Sequence, residues 1–410
     1  MKILNFGSCN IDYVYSLDHI VRPGETEATS ALEIFPGGKG LNQSIAIARA
    51  GASVFHAGCI GEDGGMLREL LASCGVDTSY LVSVPGKNGH AVIQLSCKGE
   101  NSIFLFGGSN EKITEELCDE VLRNFGSGDI LLLQNEISCL SYIIDSAQKR
   151  GLCIILNPSP LDDALRALDL SKLSYLILNE VEAADLSGSD TAEGALAFFR
   201  CRYPDLRVVL TLGERGSVYA DAEGELYQPA FLAEVVDTTA AGDTFTGYFV
   251  AGLASGAPLS ETLRLASAAA AVAVTGKGAA PSIPTRERVL SLLPALRPMK
   301  GEAKDERLRR LIESYIGEEL RGASLTGLAE HLGYSTVHTG YLCRHLLGVS
   351  FSAALAEARC RAAAALLLED GLSVGEIIRA VGYENESFFR RLFRERYGVT
   401  PKKYRQRKGC

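Results

Sequence analysis

The segment Asp237-Thr238-Thr239-Ala240-Ala241-Gly242-Asp243-Thr244-Phe245 combines residue types that could move a phosphoryl group. It leads into an apolar helical run, 245–253, which puts Ala241, Gly242 and Asp243 at a helix N-terminus. Unpaired N–H groups and the positive end of the helix dipole there suit a phosphate. Small side chains let the backbone approach it closely. Asp243 is then placed to take the proton of an attacking hydroxyl, the base that phosphoryl transfer requires. Asp is also a common helix cap, and the segment alone leaves both readings open. A second stretch, Gly37-Gly38-Lys39-Gly40-x-Asn42-Gln43, lacks the Walker spacing and is weak evidence by itself. It is preceded by Asn10-x-Asp12, whose side chains point to the same side if they lie on a strand.

These groups need a scaffold, and the first 295 residues supply alternating short apolar runs and amphipathic stretches. Strands are expected at 3–7, 130–133, 154–157, 175–179 and 207–211, with helices at 42–50, 66–74, 138–150 and 191–200. Such alternation predicts an α/β fold with a mostly parallel sheet covered on both faces. Runs 91–96 and 102–106, joined by the polar turn 97–101, read as a hairpin in a small β lid. Pro294 and Pro298 mark the approach to a linker at 298–304. The first domain is therefore 1–297 and the second 305–410, all helical by pattern. Within the second, Ala329-x-x-Leu332-Gly333-Tyr334-Ser335 recurs as Ile378-x-x-Val381-Gly382-Tyr383-Glu384. Two similar modules follow from that repeat.

At 410 residues the chain exceeds what one core usually supports. Hydrophobic residues make up 47% and charged residues 22%, ordinary values for a globular protein. The N-terminal apolar stretch breaks at Gly7 and Ser8, too early for a signal peptide, and no run is long enough to span a bilayer. The eleven cysteines form no C-x-x-C pair, which argues against a disulfide framework or zinc site and for reduced thiols in the cytoplasm. Residues 303–410 carry 18 basic against 13 acidic side chains, leaving 23 against 37 in residues 1–302. A basic second part behind an acidic body is the asymmetry expected if only that part meets a polyanion.

Together, the Asp243 segment and the Gly37–Asn42 stretch closely resemble the signatures of the ribokinase (PfkB-type) carbohydrate kinases, and the resemblance runs over nearly all of 1–295. It implies ATP-dependent phosphorylation of a sugar, most specifically ribose, held by Asn10, Asp12, Gly38, Lys39, Asn42, Glu136 and Asp243. On the nucleotide side it implies roles for Asn179, Thr211, Gly213, Gly216, Gly242 and Ser267, the last bordering the adenine. Glu182, in Asn179-x-x-Glu182, would act indirectly on Mg2+. Asp237, Thr239, Val274, Gly278 and Ser282 would surround a monovalent cation, usually K+. The resemblance also implies a homodimer formed through the lid. A regulator that keeps the kinase fold only as a sugar sensor is the competing reading. It would have no need of Asp243, Gly242 or the Asn179–Glu182 element, and all of these are present.

Residues 305–407 resemble the AraC-type transcription-factor domain, most clearly from Ser373 to Arg405. Ser373 and Glu376 form a capping-box pattern, and Gly382 supplies the turn between helices. Phe388, Leu392 and Phe393 are expected to give the next helix its apolar side. Arg390, Arg391, Arg394 and Arg396 stand on the remainder, and double-stranded DNA is the implied partner. Asn385, Ser387 and Arg391 are the expected base readers, while Lys402, Lys403 and Arg405 would meet the backbone. In the first module Ser335 is expected to cap a helix that carries Gly340, His338 and one arginine, Arg344.

Overall fold

Side chains of the central strands alternate between two buried layers, and this alternation builds the first part of the molecule. Ile130 and Leu132 enter one core while Leu131 and Leu133 enter the other; Ile155 is likewise opposed to Ile154 and Leu156. A strand buried on both faces has no polar side to show, which is why these runs are continuously apolar. The computed structural model describes residues 1–97, 101–299, 304–332, 334, 336–368 and 372–406. Contacts divide the chain into two units, Met1–Gly301 and Glu302–Cys410.

The strands of the first unit are β1 (Ile3–Phe6), β2 (Asn10–Leu17), β3 (Ala31–Gly37), β4 (Val54–Ile60), β5 (Asp77–Ser83), β6 (Gly89–Ser96), β7 (Asn101–Phe106), β8 (Ile130–Gln134), β9 (Cys153–Asn157), β10 (Tyr175–Asn179), β11 (Arg207–Thr211), β12 (Ser217–Ala220) and β13 (Glu225–Gln228). The main sheet has the order β13-β12-β11-β10-β9-β8-β1-β4-β5. Pairing is parallel from β5 through β11, and β12 and β13 are added by antiparallel pairing. The order in which strands are added to the sheet reverses at β1, which has β4 on one side and β8 on the other, both parallel to it. Crevices form beyond the C-terminal ends of strands at such a reversal.

A separate four-stranded sheet, β3-β2-β6-β7, forms the lid, with β6 and β7 as the expected hairpin. Residues 98–100 of its turn lie outside the described residues. Leu32, Ile34, Ile103, Phe104, Leu105 and Phe106 of the lid are exposed.

The predicted linker narrows. Pro298 bridges to Phe231 and the Met299 N–H donates to the Ala230 carbonyl, so both belong with the first unit. A helix has already begun at Lys304, and 300–303 lie outside the described residues. Proline read as a linker signal here because it lacks an N–H, yet the bridge needs none from it, since the flanking Arg297 carbonyl and Met299 N–H make the bonds.

The second unit contains seven described helices: Lys304–Glu318, Leu325–Leu332, Thr336–Leu347, Phe351–Leu368, Val374–Ala380, Glu386–Tyr397 and Pro401–Gln406. Two small cores form, one around Ile312, Leu328, Leu332 and Cys343, the other around Ile377, Ile378, Phe389 and Phe393. Helix Phe351–Leu368 gives Leu355 to the first and Leu367 to the second. The repeat is physical: the Tyr334 N–H donates to Ala329, and the Tyr383 N–H to Ile378. Gly348 and Gly398 follow corresponding helices at φ 73° and 72°. Gly333, the Ser335 cap and the His338 side chain lie outside what is described. No helix among the described residues is long and apolar enough to cross a membrane.

Helix Ala241–Ala254 packs on helix Lys39–Arg49 through Gly247, where an added Cβ would lie 2.3 Å from Ala46 Cβ. Gly247→Leu should therefore destabilise the chain by about 1–3 kcal/mol through overpacking. Gly242→Ala, whose methyl would meet nothing within 4 Å, should stay within about 0.5 kcal/mol of wild type. Urea unfolding of the two variants measures both.

Candidate active site and DNA interface

Asp243 is the third residue of helix Ala241–Ala254 and is only 9% exposed. Its carboxylate does not cap that helix, whose start at Ala240 has no side-chain cap. The oxygens instead accept from two side chains of helix Lys39–Arg49: Asn42 Nδ2 to Oδ2 at 3.1 Å and Gln43 Nε2 to Oδ1 at 2.9 Å. The capping alternative left open by the sequence is thus not the one adopted. Ala241 and Gly242 form the first turn, and Gly242 is exposed and opens on empty space. The Ala241 N–H donates to the Thr238 carbonyl at 3.2 Å, so the result is a buried acceptor beside the Gly242 and Asp243 amides at the positive end of a helix.

On the lid side, Asn10 and Asp12 share one strand, β2. Gly37 is required against Asp12, because a Cβ there would lie 2.0 Å from Oδ2. Burial, reinforced by the Glu136 and Asp243 charges, pushes the Asp12 carboxyl up to about 7. Glu136 is also pushed above the usual carboxylate range by burial, although Ser8 Oγ and the Lys39 N–H donate to its Oε2. Burial works against the Lys39 ammonium, but Asp243, Glu136 and Glu182 outweigh it and hold its pKa above the ordinary value. Gly38 starts the Lys39 helix at φ 93°, a conformation that favours glycine. Ser8 and Asn110 were not anticipated. Asn110 Nδ2 donates to Asn10 Oδ1 at 2.7 Å while its own Oδ1 accepts from the Cys9 N–H. The Gly107-Gly108-Ser109-Asn110 turn after the lid strand was the available signal.

Among the residues expected to meet the nucleotide, Asn179 and Glu182 form a reciprocal capping box on helix Glu180–Ser187, with both bonds at 3.0 Å. Thr211 ends β11, and Gly213 and Gly216 turn the chain into β12. Asp237 accepts from the Thr239 N–H and hydroxyl and from the Gly278 N–H. Burial opposes its ionisation, yet these bonds and the Lys277 charge hold it below the usual range. The Val274 carbonyl accepts from the Val236 and Asp237 N–H groups. Ser282 lies against Gly276, its hydroxyl donating to Ala279. The structure thus joins Asp237, Thr239, Val274 and Gly278 directly, with Ser282 beside them. Ser267 is buried inside helix Leu259–Ala273, and no described hydrogen bond joins it to these groups.

In the second unit the Ser373–Glu376 capping box is present and Gly382 turns at φ 90°. Phe388 corrects the expected apolar side. It is 44% exposed, and Phe389 packs in its place with Phe393, because the buried face of this helix passes through 389 and 393. Asn385 spends its Oδ1 on the Phe388 N–H as the helix N-cap. Arg390 pairs with Glu386 at 2.8 Å, and Arg391 stands 5.5 Å from the Phe388 ring. Ser387, Arg391 and Arg394 are exposed together, as is Arg344 on the first module. Arg405 is not a free cation: it donates to the Leu367 and Leu372 carbonyls.

A model of the pfkB family of carbohydrate kinases matches residues 1–286, and a helix-turn-helix domain model matches residues 328–407. Ribokinase of Haemophilus influenzae is 37% identical over 301 residues, covering 70% of this chain and 96% of that protein. Ribokinase of Bacillus subtilis is 36% identical over 297 residues, covering 71% and 99%. The solved structure of Arabidopsis thaliana ribokinase complexed with ribose and ATP superposes with a TM-score of 0.63 at 34% identity, covering 71% of this chain and 98% of that one.

For the second unit, Arg394→Ala should weaken binding to any duplex alike and reduce the slope of log K against log salt by about 1. Arg405→Ala should instead lower stability and leave that slope unchanged. Salt-titrated fluorescence anisotropy on a duplex, with a melting curve for each variant, separates the two.

Proposed function

This chain belongs to the pfkB family of carbohydrate kinases and carries an AraC-type helix-turn-helix domain behind its kinase unit; we propose that it transfers the γ-phosphate of ATP to the 5-hydroxyl of D-ribose and binds regulatory DNA through its second unit. The observation that carries the first part is the Asp243 carboxylate, held by Asn42 and Gln43 at the start of a helix whose Gly242 opens on empty space. Ribose is favoured because the relatives most like this chain include ribokinases, one of which is seen with ribose and ATP.

In this reading Asn10, whose Oδ1 is taken by Asn110, donates and Asp12 accepts at adjacent sugar hydroxyls, and Glu136 and Lys39 complete the ring of polar groups. Asp243 takes the proton of the attacking hydroxyl, and the N–H groups of Gly242 and Asp243 receive the charge of the migrating phosphoryl, with Ala241, whose own N–H is spent on the Thr238 carbonyl, letting the backbone approach. Three carboxylates around one ammonium leave the site short of donors and of positive charge. Such a donor set fits a divalent cation on the ATP phosphates, with Glu182 acting at a distance. Mg2+ there would neutralise the charge that builds up on the phosphates. Asp237, kept ionised among the carbonyls of its loop, fits K+, with Thr239, Val274, Gly278 and Ser282 as neighbours. The exposed apolar lid residues fit a lid-to-lid homodimer.

Asp243→Asn should lower kcat at least 100-fold while ribose affinity, by calorimetry, changes less than about threefold. Wild-type turnover in that variant would contradict the base assignment. If the unmodified chain consumes no ATP with ribose, other pentoses or fructose, the kinase reading fails and the sugar-sensor reading stands.

Asp12 is protonated below about pH 7 and ionised above it. Since the ionised form accepts from sugar hydroxyls more strongly than the neutral carboxyl, kcat/KM for ribose should rise as pH passes through 7. Asp12→Asn should remove that inflection, which a pH series of initial rates would show.

A further inference from the structure

Behind Asp243 lies a row of buried amides that neither side of the proposed reaction uses. Gln43 Nε2 donates both of its protons, to Asp243 Oδ1 at 2.9 Å and to Asn157 Oδ1 at 3.0 Å. Its Oε1 accepts from Gln134 Nε2 at 2.7 Å, and the same Gln134 nitrogen donates to Asn5 Oδ1 at 3.0 Å. Asn5 Nδ2 continues to the Gly40 carbonyl and to Ser44 Oγ, each at 2.8 Å, and Ser44 Oγ meets His56 Nδ1 at 2.8 Å. Asn5, Gln43, Ser44, His56 and Gln134 are all 0% exposed.

An ionised carboxylate accepts and cannot donate. Gln43 must therefore turn its NH2 toward Asp243, which leaves its oxygen for Gln134, and each later amide is oriented by the one before it. The row crosses the C-terminal ends of β1, β8 and β9, through Asn5, Gln134 and Asn157, so three strands of the main sheet fix one side chain. Room for it is built into the backbone: a Cβ on Gly7 would lie 2.4 Å from Gln134 Oε1. A buried amide with all its protons committed has little freedom to rotate, and the carboxylate it holds shares that fixity.

We propose that Gln43 is a positioning residue for the phosphoryl-transfer step, holding the Asp243 carboxylate in its reactive orientation through this buried amide row. The inference rests on the assignment of Asp243 as the base. Gln43 lies behind that carboxylate, so its loss acts on the chemical step and not on sugar capture.

The test uses the full chain and four proteins: wild type, Gln43→Leu, Asp243→Asn and the double variant, assayed for ribose-dependent ATP consumption. Gln43→Leu should lower kcat about 10–100-fold, the cost of a misplaced catalytic group, with KM for ribose within about twofold. In the Asp243→Asn background the same substitution should cost less than about twofold, because residues acting through one another are not additive. A fall in Gln43→Leu that appears wholly in KM, or that repeats in full in the Asp243→Asn background, overturns the proposal. Unimpaired turnover in Asp243→Asn overturns the base assignment instead, so the two failures are told apart. Should Gln43→Leu not fold, Gln43→Glu decides. It keeps an acceptor for Gln134 but replaces the donor to Asp243 with a second carboxylate, and a wild-type kcat in it would equally sink the idea.

Discussion

Charge that is buried must be held by donors, and the kinase unit is arranged around that constraint. Glu136, Glu182 and Asp243 gather about the Lys39 ammonium, and Asp12 feels the charges of Glu136 and Asp243. Carboxylates in such a place either take up protons or find hydrogen-bond donors. Asp12 and Glu136 follow the first course, their proton affinities raised by burial. Asp243 follows the second, with an amide N–H on each oxygen. Neighbouring carboxylates are thus held in different states, which is what the proposed reaction asks of a group that meets sugar hydroxyls and a group that receives a proton. Much of the surrounding architecture serves this division. The strand-order reversal at β1 sets the place, Gly38 starts the Lys39 helix there, and the sheet beneath anchors the amides.

How far this was visible in advance depended on whether a feature was local. Strands 175–179 and 207–211 have the predicted bounds, because a run buried on both faces announces itself by composition alone. β4 and β5 were not anticipated, since Val54–Ile60 contains His56 and Gly58 and Asp77–Ser83 is largely polar on an edge. The lid hairpin was legible from alternation and a polar turn, whereas β2 and β3, its other two strands, were not. At the site, motif spacing named the residues but not their geometry. That Asn42 and Gln43 hold the two oxygens of Asp243 requires contacts between positions about 200 residues apart. Gln43 was quoted within its motif and given no task, because a buried amide looks the same in sequence whether it packs or positions.

The Asn179–Glu182 pair shows how one motif can satisfy two demands. Its reciprocal bonds start helix Glu180–Ser187, a sufficient structural reason for both residue types. The same bonds fix Glu182 at the strand ends, where its charge is felt by Lys39. Structure and electrostatics are here obtained from one pair of side chains, so the presence of the motif does not by itself separate an active enzyme from a sugar sensor. Asp243 separates them better. Its carboxylate contributes nothing to capping its own helix and is held from outside by another element.

The second unit repeats one backbone design twice and differs in what it shows to solvent. Both modules bury an apolar pair before the turn and close with a left-handed glycine. On helix Glu386–Tyr397 the buried phenylalanines at 389 and 393 turn Ser387, Arg391 and Arg394 outward, while Glu386 holds Arg390 and Glu357 holds Arg396. Cations already paired release fewer counterions when they meet a phosphate, so their number overstates their contribution to binding. Helix Thr336–Leu347 offers a single exposed arginine, Arg344. In the proposed DNA-binding role, the second module thus offers more unpaired cations to a duplex than the first.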